Sequence, residues 1–562
     1  MNRRITAVGL AVAASLALTS CAGAGAGGGA AAGGVTGPAD TGGTMQVLAS
    51  TDFSHLDPEM GYDTGVADLY RLIYRTLTTA SGEDGATIAP DLATDTGTPN
   101  ADATVWTFTL KDGLKFEDGS PITSESVKFG VERSFDPALA IGTPYTRLYL
   151  AGGDSYKGPY ESGDLSSIET PDAKTIVFHL NRSVPEFASV AAQSTFTPFP
   201  ADKDRVTVTS IDQQPIASGP YRVTARTAGS SLTLERNPEW DQATDDVRTA
   251  KPDKWQFTIG LDQATIDERM LAGQGDDKNA IAYTITAASV SRIQTPQIKA
   301  RTVTGDQACT TYLGLNTTKP HLSDVRVRQA ISYAIDKKSL ADVAGGPSIA
   351  EPASTMLTPS IPGHKDFDLY PSTDSAGDVD KAKALLAEAG VPDGFTMTLD
   401  VRNLPSSQKQ AEALQQSLAK VGITVEFNIL DTSTYYETIG TTSQQHDAAV
   451  TGWCPDWLSA STVLPTLFDG RQISPKGNND ISQLNDSAVN AKIDEVSAMT
   501  DLDAAKTAWG DLDEQIQQLA PTVPLLFAQS VLVVGENVRN AYSSPLYAGG
   551  IDYATIGLHT GK

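Results

Sequence analysis

The sequence predicts an α/β protein of more than one domain, and three observations support that prediction. The chain has 562 residues, which is more than one hydrophobic core normally holds, so two or three domains are expected. Residues 377–430 alternate helical and strand patterns with short connections, which predicts a βαβ crossover in a parallel sheet. Residues 86–200 contain short alternating runs between turn signals, which predicts a separate β-rich part.

Hydrophobic spacing places the individual elements of the second half. Helical spacing runs through GDVDKAKALLAEAGVPDGF and ends at Gly390, and FTMTLDV then alternates as a strand. A second helix is predicted in SSQKQAEALQQSLAKVG, ending at Gly422, and a second strand in ITVEFNIL. Another helix is predicted in DVRVRQAISYAID, with Asp324 as its N-cap and in an i,i+4 ion pair with Arg328.

Composition and charge exclude some classes of partner. Hydrophobic residues make up 40% of the chain and charged residues 20%, as in ordinary folded proteins. The formal net charge is −26, and an acidic surface repels phosphate backbones. Nucleic acid is therefore not an expected partner, and the charge favours solubility.

The N-terminus carries the pattern of an exported lipoprotein. Arg3 and Arg4 precede the apolar run ITAVGLAVAASLAL, which is too short to span a bilayer comfortably. The following LTSC resembles a bacterial lipobox, which predicts a signal peptide over residues 1–20 and acylation of Cys21. An ordinary secretory signal is the alternative. Residues 21–44 are rich in Gly and Ala and predict a flexible tether.

The cysteine count leaves room for one disulfide. Of three cysteines, Cys309 and Cys454 remain if Cys21 is acylated. Export places both in an oxidising setting, where an even number of thiols permits a bridge without requiring one.

The stretch GWCPDW concentrates rare residue types. It holds two of the six tryptophans, one of the three cysteines and a carboxylate within six residues. Each has a structural alternative: Trp453 and Trp457 as core residues, Cys454 as a small buried hydrophobe, and Asp456 as a turn acid after Pro455.

Six stretches of the chain resemble, in the same order, the solute-binding proteins of peptide and nickel ABC importers. The resemblance covers residues 45–562. The stretches are HLDPEMGYDTGVADLYRLIYRTL, VWTFTLKDGLKFEDGSPITSESVKFGVER, ASGPYRV with LTLERNPEW, TYLGLNTTKPHLSDVRVRQAISYAID, DKAKALLAEAGVPDGF and GWCPDW.

The resemblance implies a fold of two α/β lobes, joined by a hinge, with an extra β-rich subdomain inserted in the first lobe. Hinge closure would enclose the ligand. On this basis the first lobe is expected at residues 45–85, 201–305 and 530–562. The inserted subdomain is expected at 86–200 and the second lobe at 306–529.

The resemblance also implies the site. In peptide-binding members the Gly-Trp-x-x-Asp motif lines the cleft, and its aspartate holds the α-ammonium of the ligand. Asp456 is the matching residue here. Gly452, Trp453 and Cys454 would lie beside the peptide as an added strand, and Trp453 would wall the pocket with Trp457 behind it.

Two further assignments follow from the same resemblance. Gly61 and Tyr62, in the matching first-lobe segment, are expected to contact the ligand. Some relatives bridge the cysteines that match this pair, which implies a disulfide between Cys309 and Cys454.

The function expected is a lipid-anchored solute-binding component of an ABC importer, on the extracytoplasmic face of a bacterial membrane. It would capture peptides and deliver them to permease and ATPase subunits. A monomer is expected, without cofactor, metal or catalytic activity, and with membrane contact only through the N-terminal lipid.

Alternatives remain open at this level. The solute could be a nickel complex, heme, an oligosaccharide or an opine, and His55 and His446 are the histidines that a nickel site would draw on. A secreted hydrolase is less favoured, because the sequence contains neither GxSxG nor HExxH. A receptor lipoprotein that binds peptides in order to signal would have the same sequence features.

Overall fold

The computed structural model describes residues 34–62, 64–82, 85–139 and 142–561. Cys21 and the predicted signal peptide lie outside the described residues, as do residues 21–33 of the predicted tether. The described end of that tether is bound to the first lobe: Val35 bridges to Ala541, Asp40 bridges to Leu558, and Thr44 begins a strand. The prediction of a flexible tether is therefore wrong for these residues. Among the helices that are described, none combines the length and the apolar character needed to cross a membrane.

The chain begins in the first lobe, leaves it for an insert and later returns. The first elements are β1 (Thr44–Leu48), α1 (Thr64–Ile73), β2 (Thr78–Ser81) and β3 (Thr87–Pro90). Strands β2 and β3 pair antiparallel. Helix α1 buries Leu69 and Ile73 in the first-lobe core, and its Arg71 faces the interior of the protein.

The insert is the predicted β-rich part. Its elements are β4 (Thr98–Pro99), β5 (Val105–Thr109), α2 (Ser124–Arg133), α3 (Tyr145–Tyr149), β6 (Ile168–Glu169), β7 (Thr175–His179) and α4 (Phe187–Val190). Helix α5 (Ser210–Gln213) follows the insert, and its Ile211 already belongs to the first-lobe core. Four strands form an antiparallel sheet in the order β4-β5-β7-β6. Because side chains alternate across a strand, Trp106, Phe108 and Phe178 all reach one buried face, where they form a separate aromatic core.

The chain then completes the sheet of the first lobe. The returning elements are β8 (Tyr221–Thr227), β9 (Ser231–Arg236), β10 (Lys254–Thr258), α6 (Gln263–Ala272), β11 (Ala280–Ala282), α7 (Ala287–Val290) and α8 (Pro296–Lys299). The sheet order is β11-β1-β10-β9-β8, with β1 parallel to both of its neighbours. Trp255 and Phe257 of β10 are fully buried at its centre.

The second lobe is built on a six-stranded sheet. Its elements are β12 (Thr302–Leu315), α9 (Val325–Ala334), α10 (Lys337–Ala344), β13 (Ala350–Pro352), α11 (Val379–Glu388), β14 (Thr396–Arg402), α12 (Pro405–Ala419), β15 (Thr424–Leu430), α13 (Tyr435–Ile439), β16 (Ala448–Trp453), α14 (Leu464–Phe468), α15 (Ser487–Ser497), α16 (Leu502–Gln518) and β17 (Thr522–Val533). The order is β13-β17-β12-β16-β14-β15. The predicted parallel pairing of β14 with β15, connected through α12, is confirmed.

One predicted pair is wrong. Asp324 caps α9 as expected, accepting from the backbone N–H of Arg326, but its carboxylate pairs with the Arg326 guanidinium at 2.6 Å. Arg328 lies on the buried face of the helix, where it donates to the backbone carbonyls of Leu322 and Leu519. A buried guanidinium must satisfy its donors locally, and carbonyls left free near a helix end offer that.

Two long strands connect the lobes. Strands β12 and β17 pair antiparallel, and Val303 and Leu532 belong to the first-lobe core while Leu313 and Val523 belong to the second-lobe core. Their pairing register shifts between Asp306 and Thr310, a bulge in which Ala308 has φ of 53°. A second register shift follows between Thr311 and Tyr312, so the ribbon between the lobes is irregular over residues 306–312. The exact boundaries of the two lobes and the insert stay predictions.

The end of the chain returns to the first lobe. Its short strands are β18 (Val538–Arg539), β19 (Ser543–Ser544), β20 (Gly550–Ile551) and β21 (Gly557–Leu558). They pair as two separate two-stranded ribbons, β18 with β21 and β19 with β20. Val538, Ile551 and Leu558 complete the same core that holds β1 and β10.

Candidate ligand-binding site

A cavity of about 410 Å³ lies where the first lobe, the insert and the second lobe meet. Its volume is in the range of small-ligand sites. The structure brings all the sequence-predicted ligand contacts to its lining: Gly61, Tyr62, Gly452, Trp453, Cys454, Asp456 and Trp457. Their role in binding stays a prediction.

The GWC part of the motif ends strand β16. Gly452 stands opposite Thr311 of β12, and β14 pairs with β16 only at Ala448 and Ala449. The outer edge of residues 450–453 therefore has no strand partner in the described part of the chain. Parallel strands that separate in this way leave a crevice at their carboxyl ends, which is where α/β sheets bind ligands.

Gly452 keeps this edge open. A Cβ at that position would lie 3.4 Å from the Thr310 carbonyl oxygen, so the protein's own packing does not demand glycine there. Gly452 is exposed, and the missing side chain lets another backbone approach β16.

The structure contains a disulfide between Cys309 and Cys454, the pair that the resemblance implied. Cys309 belongs to the bulged part of β12, and Cys454 directly follows β16. The bond therefore fastens the start of the CPDW turn to the hinge ribbon.

Asp456 is a carboxylate without a cationic partner among the described residues. Tyr62 donates a hydrogen bond to Oδ1 at 2.7 Å, and Tyr145 donates one to Oδ2. Burial raises the pKa of the Asp456 carboxyl, and these two hydrogen bonds offset part of that rise. A carboxylate has about four acceptor positions, so two stay available to a further donor.

The two tryptophans of the motif have different surroundings. Trp453 is partly buried, packs on a second-lobe cluster and donates its indole N–H to the Thr462 carbonyl at 2.9 Å. Trp457 is 5% exposed and packs in the aromatic core of the insert, with its N–H on Glu186 at 3.1 Å. Trp457 thus docks the second lobe onto the insert, in addition to lining the cavity.

The first lobe contributes Gly61 and Tyr62. A Cβ at Gly61 would lie 2.1 Å from the Tyr70 hydroxyl, which donates to the carbonyls of His55 and Asp57. Glycine is required there because that hydroxyl occupies the space. Tyr62 is 47% exposed and reaches Asp456 across the cleft.

Both arginines that line the cavity are already paired within the protein. Arg71 donates to both oxygens of Asp552, at 2.9 and 3.1 Å. Arg248 lies 2.9 Å from a carboxylate oxygen of Asp91 and 3.1 Å from one of Asp245. Their positive charges are therefore neutralised by neighbouring carboxylates, unlike the negative charge of Asp456.

The histidines of the nickel alternative lie elsewhere. His55 contacts Asp212 at 3.3 Å, and His446 contacts Asp400 at 2.8 Å. Neither lines the cavity, and the described residues contain no group of three or more potential metal ligands.

Three residues of the site were missed by sequence reasoning. Tyr145 holds the Asp456 carboxylate, Gln193 donates to the Asp456 carbonyl at 3.3 Å, and Glu186 holds Trp457. All three lie in the insert, in short helices or loops whose sequence has no motif that points to the second lobe.

Two lobes around a shared cavity, with groups from both sides lining it, define a solute-binding protein of the hinged type. The family model for bacterial extracellular solute-binding proteins, family 5, matches residues 87–475, and the chain belongs to that family.

Individual relatives cover nearly the whole chain. The oligopeptide-binding protein OppA of Bacillus subtilis is 24% identical over 88% of this chain and 89% of its own. The solved structure of clavulanic acid biosynthesis oligopeptide binding protein 2 is 35% identical, with a TM-score of 0.88 over 92% of this chain and 96% of that one. DppA from Helicobacter pylori, solved in complex with peptide STSA, shares the fold at 24% identity, with a TM-score of 0.71 over 92% and 98% of the two chains.

Proposed function

We propose that this chain is the peptide-capturing component of an ABC importer, which binds peptides in the interlobe cavity and delivers them to a permease. The observation that carries the proposal is the carboxylate of Asp456, which faces the cavity with tyrosine hydroxyls as its partners and no cation among the described residues. A ligand that supplies a cation would complete the site.

The α-ammonium of a peptide fits this position. It is a compact donor of three hydrogen bonds, and a charge-assisted hydrogen bond contributes about 1.5–3 kcal/mol. Tyr62 and Tyr145 would hold the carboxylate in place while the ammonium uses its remaining acceptor positions. The open edge of β16 offers backbone groups to the rest of the peptide, which gives affinity without choosing side chains.

Asp456 tests the proposal directly. Asp456→Asn keeps the shape of the side chain but removes the charge, so we expect a loss of about 2–5 kcal/mol in peptide binding. Calorimetry with tri-alanine and with N-acetyl-tri-alanine measures this, after native mass spectrometry has shown which ligand co-purifies. Asp393→Asn, an exposed acid elsewhere in the second lobe, is the matched control for net charge.

The comparison of the free and the N-acetylated peptide decides whether Asp456 holds the α-ammonium. The acetylated peptide should bind the wild type poorly, and Asp456→Asn should remove most of the difference between the two peptides. Equal affinity for both peptides in the wild type would show that Asp456 does not hold the ammonium. The peptide should also be recovered intact after hours of incubation, and turnover in proportion to protein concentration would contradict a pure binding role.

The location proposed is the extracytoplasmic face of the membrane, with acylated Cys21 as the anchor. The part of the Gly- and Ala-rich segment 21–44 that precedes Val35 would link the lipid to the folded lobes, since Val35 and Asp40 already pair with the first lobe. Labelling with a fatty-acid analogue in a bacterial host should mark the wild type and leave Cys21→Ala unmarked. Label on the variant would place the anchor elsewhere.

A further inference from the structure

A hydrogen-bonded contact joins the insert to the second lobe beside the ligand cavity. Glu186, directly before α4 of the insert, accepts three hydrogen bonds there. The Trp457 indole N–H donates to Oε2 at 3.1 Å, the Ser459 hydroxyl donates to Oε1 at 2.8 Å, and the Ser461 hydroxyl donates to Oε2 at 2.5 Å. These four residues form the Glu186 cluster, and only Trp457 among them lines the cavity.

The Glu186 carboxylate binds groups that come from a distant part of the chain. Its hydrogen-bond partners within the described part of the chain are these three neutral donors. A hydrogen bond to a carboxylate is about twice as strong as one between neutral groups. The donors are 271 to 275 residues away from Glu186 in sequence. The cluster therefore exists only while the second lobe lies against the insert.

The Trp457 side chain packs in a different core from its neighbours in sequence. Its ring lies in the aromatic core of the insert, 4.7 Å from the ring of Tyr145. Leu458 and Ala460, in contrast, pack in a second-lobe cluster. Separation of the second lobe from the insert would expose the indole to water, which is unfavourable for a large aromatic side chain.

The turn that carries these donors is fixed to the second lobe. The Trp453 indole N–H donates to the Thr462 carbonyl at 2.9 Å, and the Thr462 hydroxyl donates to the Trp457 carbonyl at 3.2 Å. The disulfide bonds Cys454 to Cys309 of β12. The turn should therefore move with the second lobe when the hinge opens, and Trp457 should leave the insert with it.

The Glu186 cluster differs from the contacts at the ligand site. Three hydrogen bonds cross the cleft to Asp456: Tyr62 and Tyr145 donate to its carboxylate, and Gln193 donates to its carbonyl. A ligand that pairs with Asp456 has to share the carboxylate with those tyrosines. Glu186 and the two serines of its cluster do not line the cavity, so a ligand does not compete for them.

We propose that Glu186 is a positioning residue for ligand capture, which holds Trp457 in the insert and thereby stabilises the closed arrangement of the lobes with or without a ligand. A solute can leave only when the lobes open, so the Glu186 cluster sets how long the solute stays bound. This inference goes beyond the proposed function, because it concerns closure and does not depend on which solute the cavity takes.

Four variants test the role of Glu186. Glu186→Ala removes the acceptor, and Glu186→Gln keeps the length of the side chain but removes the charge. Ser461→Ala removes one donor and leaves the insert unaltered. Asp154→Asn, at an exposed position of the insert, is the matched control for charge.

Two measurements on the full chain are needed. Small-angle X-ray scattering without added ligand gives the radius of gyration, which increases when the lobes open. Stopped-flow tryptophan fluorescence gives the association and dissociation rates of tri-alanine. Circular dichroism shows whether each variant is folded.

Glu186→Ala should have a larger radius of gyration than the wild type, and tri-alanine should dissociate from it about tenfold faster. Its association rate should not fall, because the cavity lining is intact, whereas a merely structural defect would lower that rate too. Glu186→Gln should lie between the two, and Asp154→Asn should match the wild type. Ser461→Ala should increase the dissociation rate about threefold, and should add nothing to Glu186→Ala, because the hydroxyl has then lost its acceptor.

An unchanged radius of gyration or an unchanged dissociation rate in folded Glu186→Ala would overturn the inference. If Glu186→Ala does not fold, Ser461→Ala decides by the same two measurements. If tri-alanine does not bind even the wild type, the proposed function is contradicted, and the scattering comparison alone decides whether Glu186 controls closure.

Discussion

The charged groups on the two sides of the interlobe cavity differ in their partners. On the first-lobe side, Arg71 and Arg248 each have carboxylate partners within the protein. On the second-lobe side, Asp456 has two tyrosine hydroxyls and no cation among the described residues. A charged side chain that has an oppositely charged partner within the protein is part of the folded structure. A charged side chain without such a partner is available to pair with a ligand. Under the proposed function, the second-lobe side is therefore the one that recognises the charge of a ligand.

The largest expected effect is a loss of folding free energy when the ion pair of Arg71 with Asp552 is broken. Arg71→Met would leave Asp552 buried without its cation, next to Asp68, whose pKa is already raised by burial. Removing one partner of a buried ion pair costs about 3–5 kcal/mol of folding free energy. Chemical denaturation should show this loss, and Arg71→Met with Asp552→Asn should recover part of it.

Asp456→Asn is the contrasting variant for the same measurement. At neutral pH it should leave the denaturation midpoint unchanged or raise it, because the folded protein supplies no cation to that carboxylate and burial disfavours its charged form. If Asp456→Asn and Arg71→Met destabilised the fold equally, the distinction between structural and ligand-facing charges would be wrong.

The disulfide has the next largest expected effect. Cys309 and Cys454 are 145 residues apart in sequence, so the chain-entropy estimate for their bond is about 5 kcal/mol, and measured values are commonly 2–4 kcal/mol. The double variant to Ala should lose free energy of unfolding in this range. It should also bind peptide more weakly, since the CPDW turn would have to be ordered on binding.

Peptide mapping without reductant checks the bond itself. The two cysteines should appear in one linked fragment. Two thiols that react with iodoacetamide after denaturation without reductant would contradict the bond. An unchanged peptide affinity in the double variant would separate its contribution to stability from any contribution to the site.

Local signals predicted the second lobe well. The sequence predicts Gly390 and Gly422 as helix ends, and both adopt positive φ, 82° and 85°, where an L side chain would be strained. Strands β14 and β15, each of which follows one of these glycines, pair as predicted, since hydrophobic period and turn residues specify such elements over short distances. The motif GWCPDW was placed at the cavity by resemblance, and the structure brings its residues there.

Contacts between distant segments could not be predicted. Tyr145 meets Asp456 across 311 residues, and Arg71 meets Asp552 across 481. In sequence Arg71 is one polar position on an amphipathic helix, and nothing local distinguishes it from an exposed arginine. The Asp324–Arg328 prediction failed for a related reason: i,i+4 spacing suggests a surface pair, but burial of Arg328 is decided by how α9 packs against the end of α16.

The smallest expected effect is the pH dependence of peptide binding. Burial raises the pKa of the Asp456 carboxyl above the ordinary value of 3.8, so in the free protein this group takes up a proton at higher pH than an exposed aspartate. The protonated form cannot pair with an ammonium, whereas the ammonium of a peptide stays charged below pH ~7. Affinity should therefore fall on acidification through that raised pKa, by up to about tenfold per pH unit below it.

Acidification has the opposite effect on the stability of the free protein from its effect on peptide affinity. An acid whose pKa is higher in the folded than in the unfolded protein stabilises the fold at low pH, and that contribution is lost as the pH rises through the folded pKa. Protonation of Asp456 thus stabilises the free folded protein and weakens the complex with peptide. Peptide binding should therefore release a proton at pH values near and below the raised pKa of Asp456. Calorimetry in buffers of different ionisation enthalpy measures that release. In Asp456→Asn the affinity should no longer fall on acidification, and peptide binding should no longer release a proton. If the variant kept both effects, another titrating group would be responsible for them.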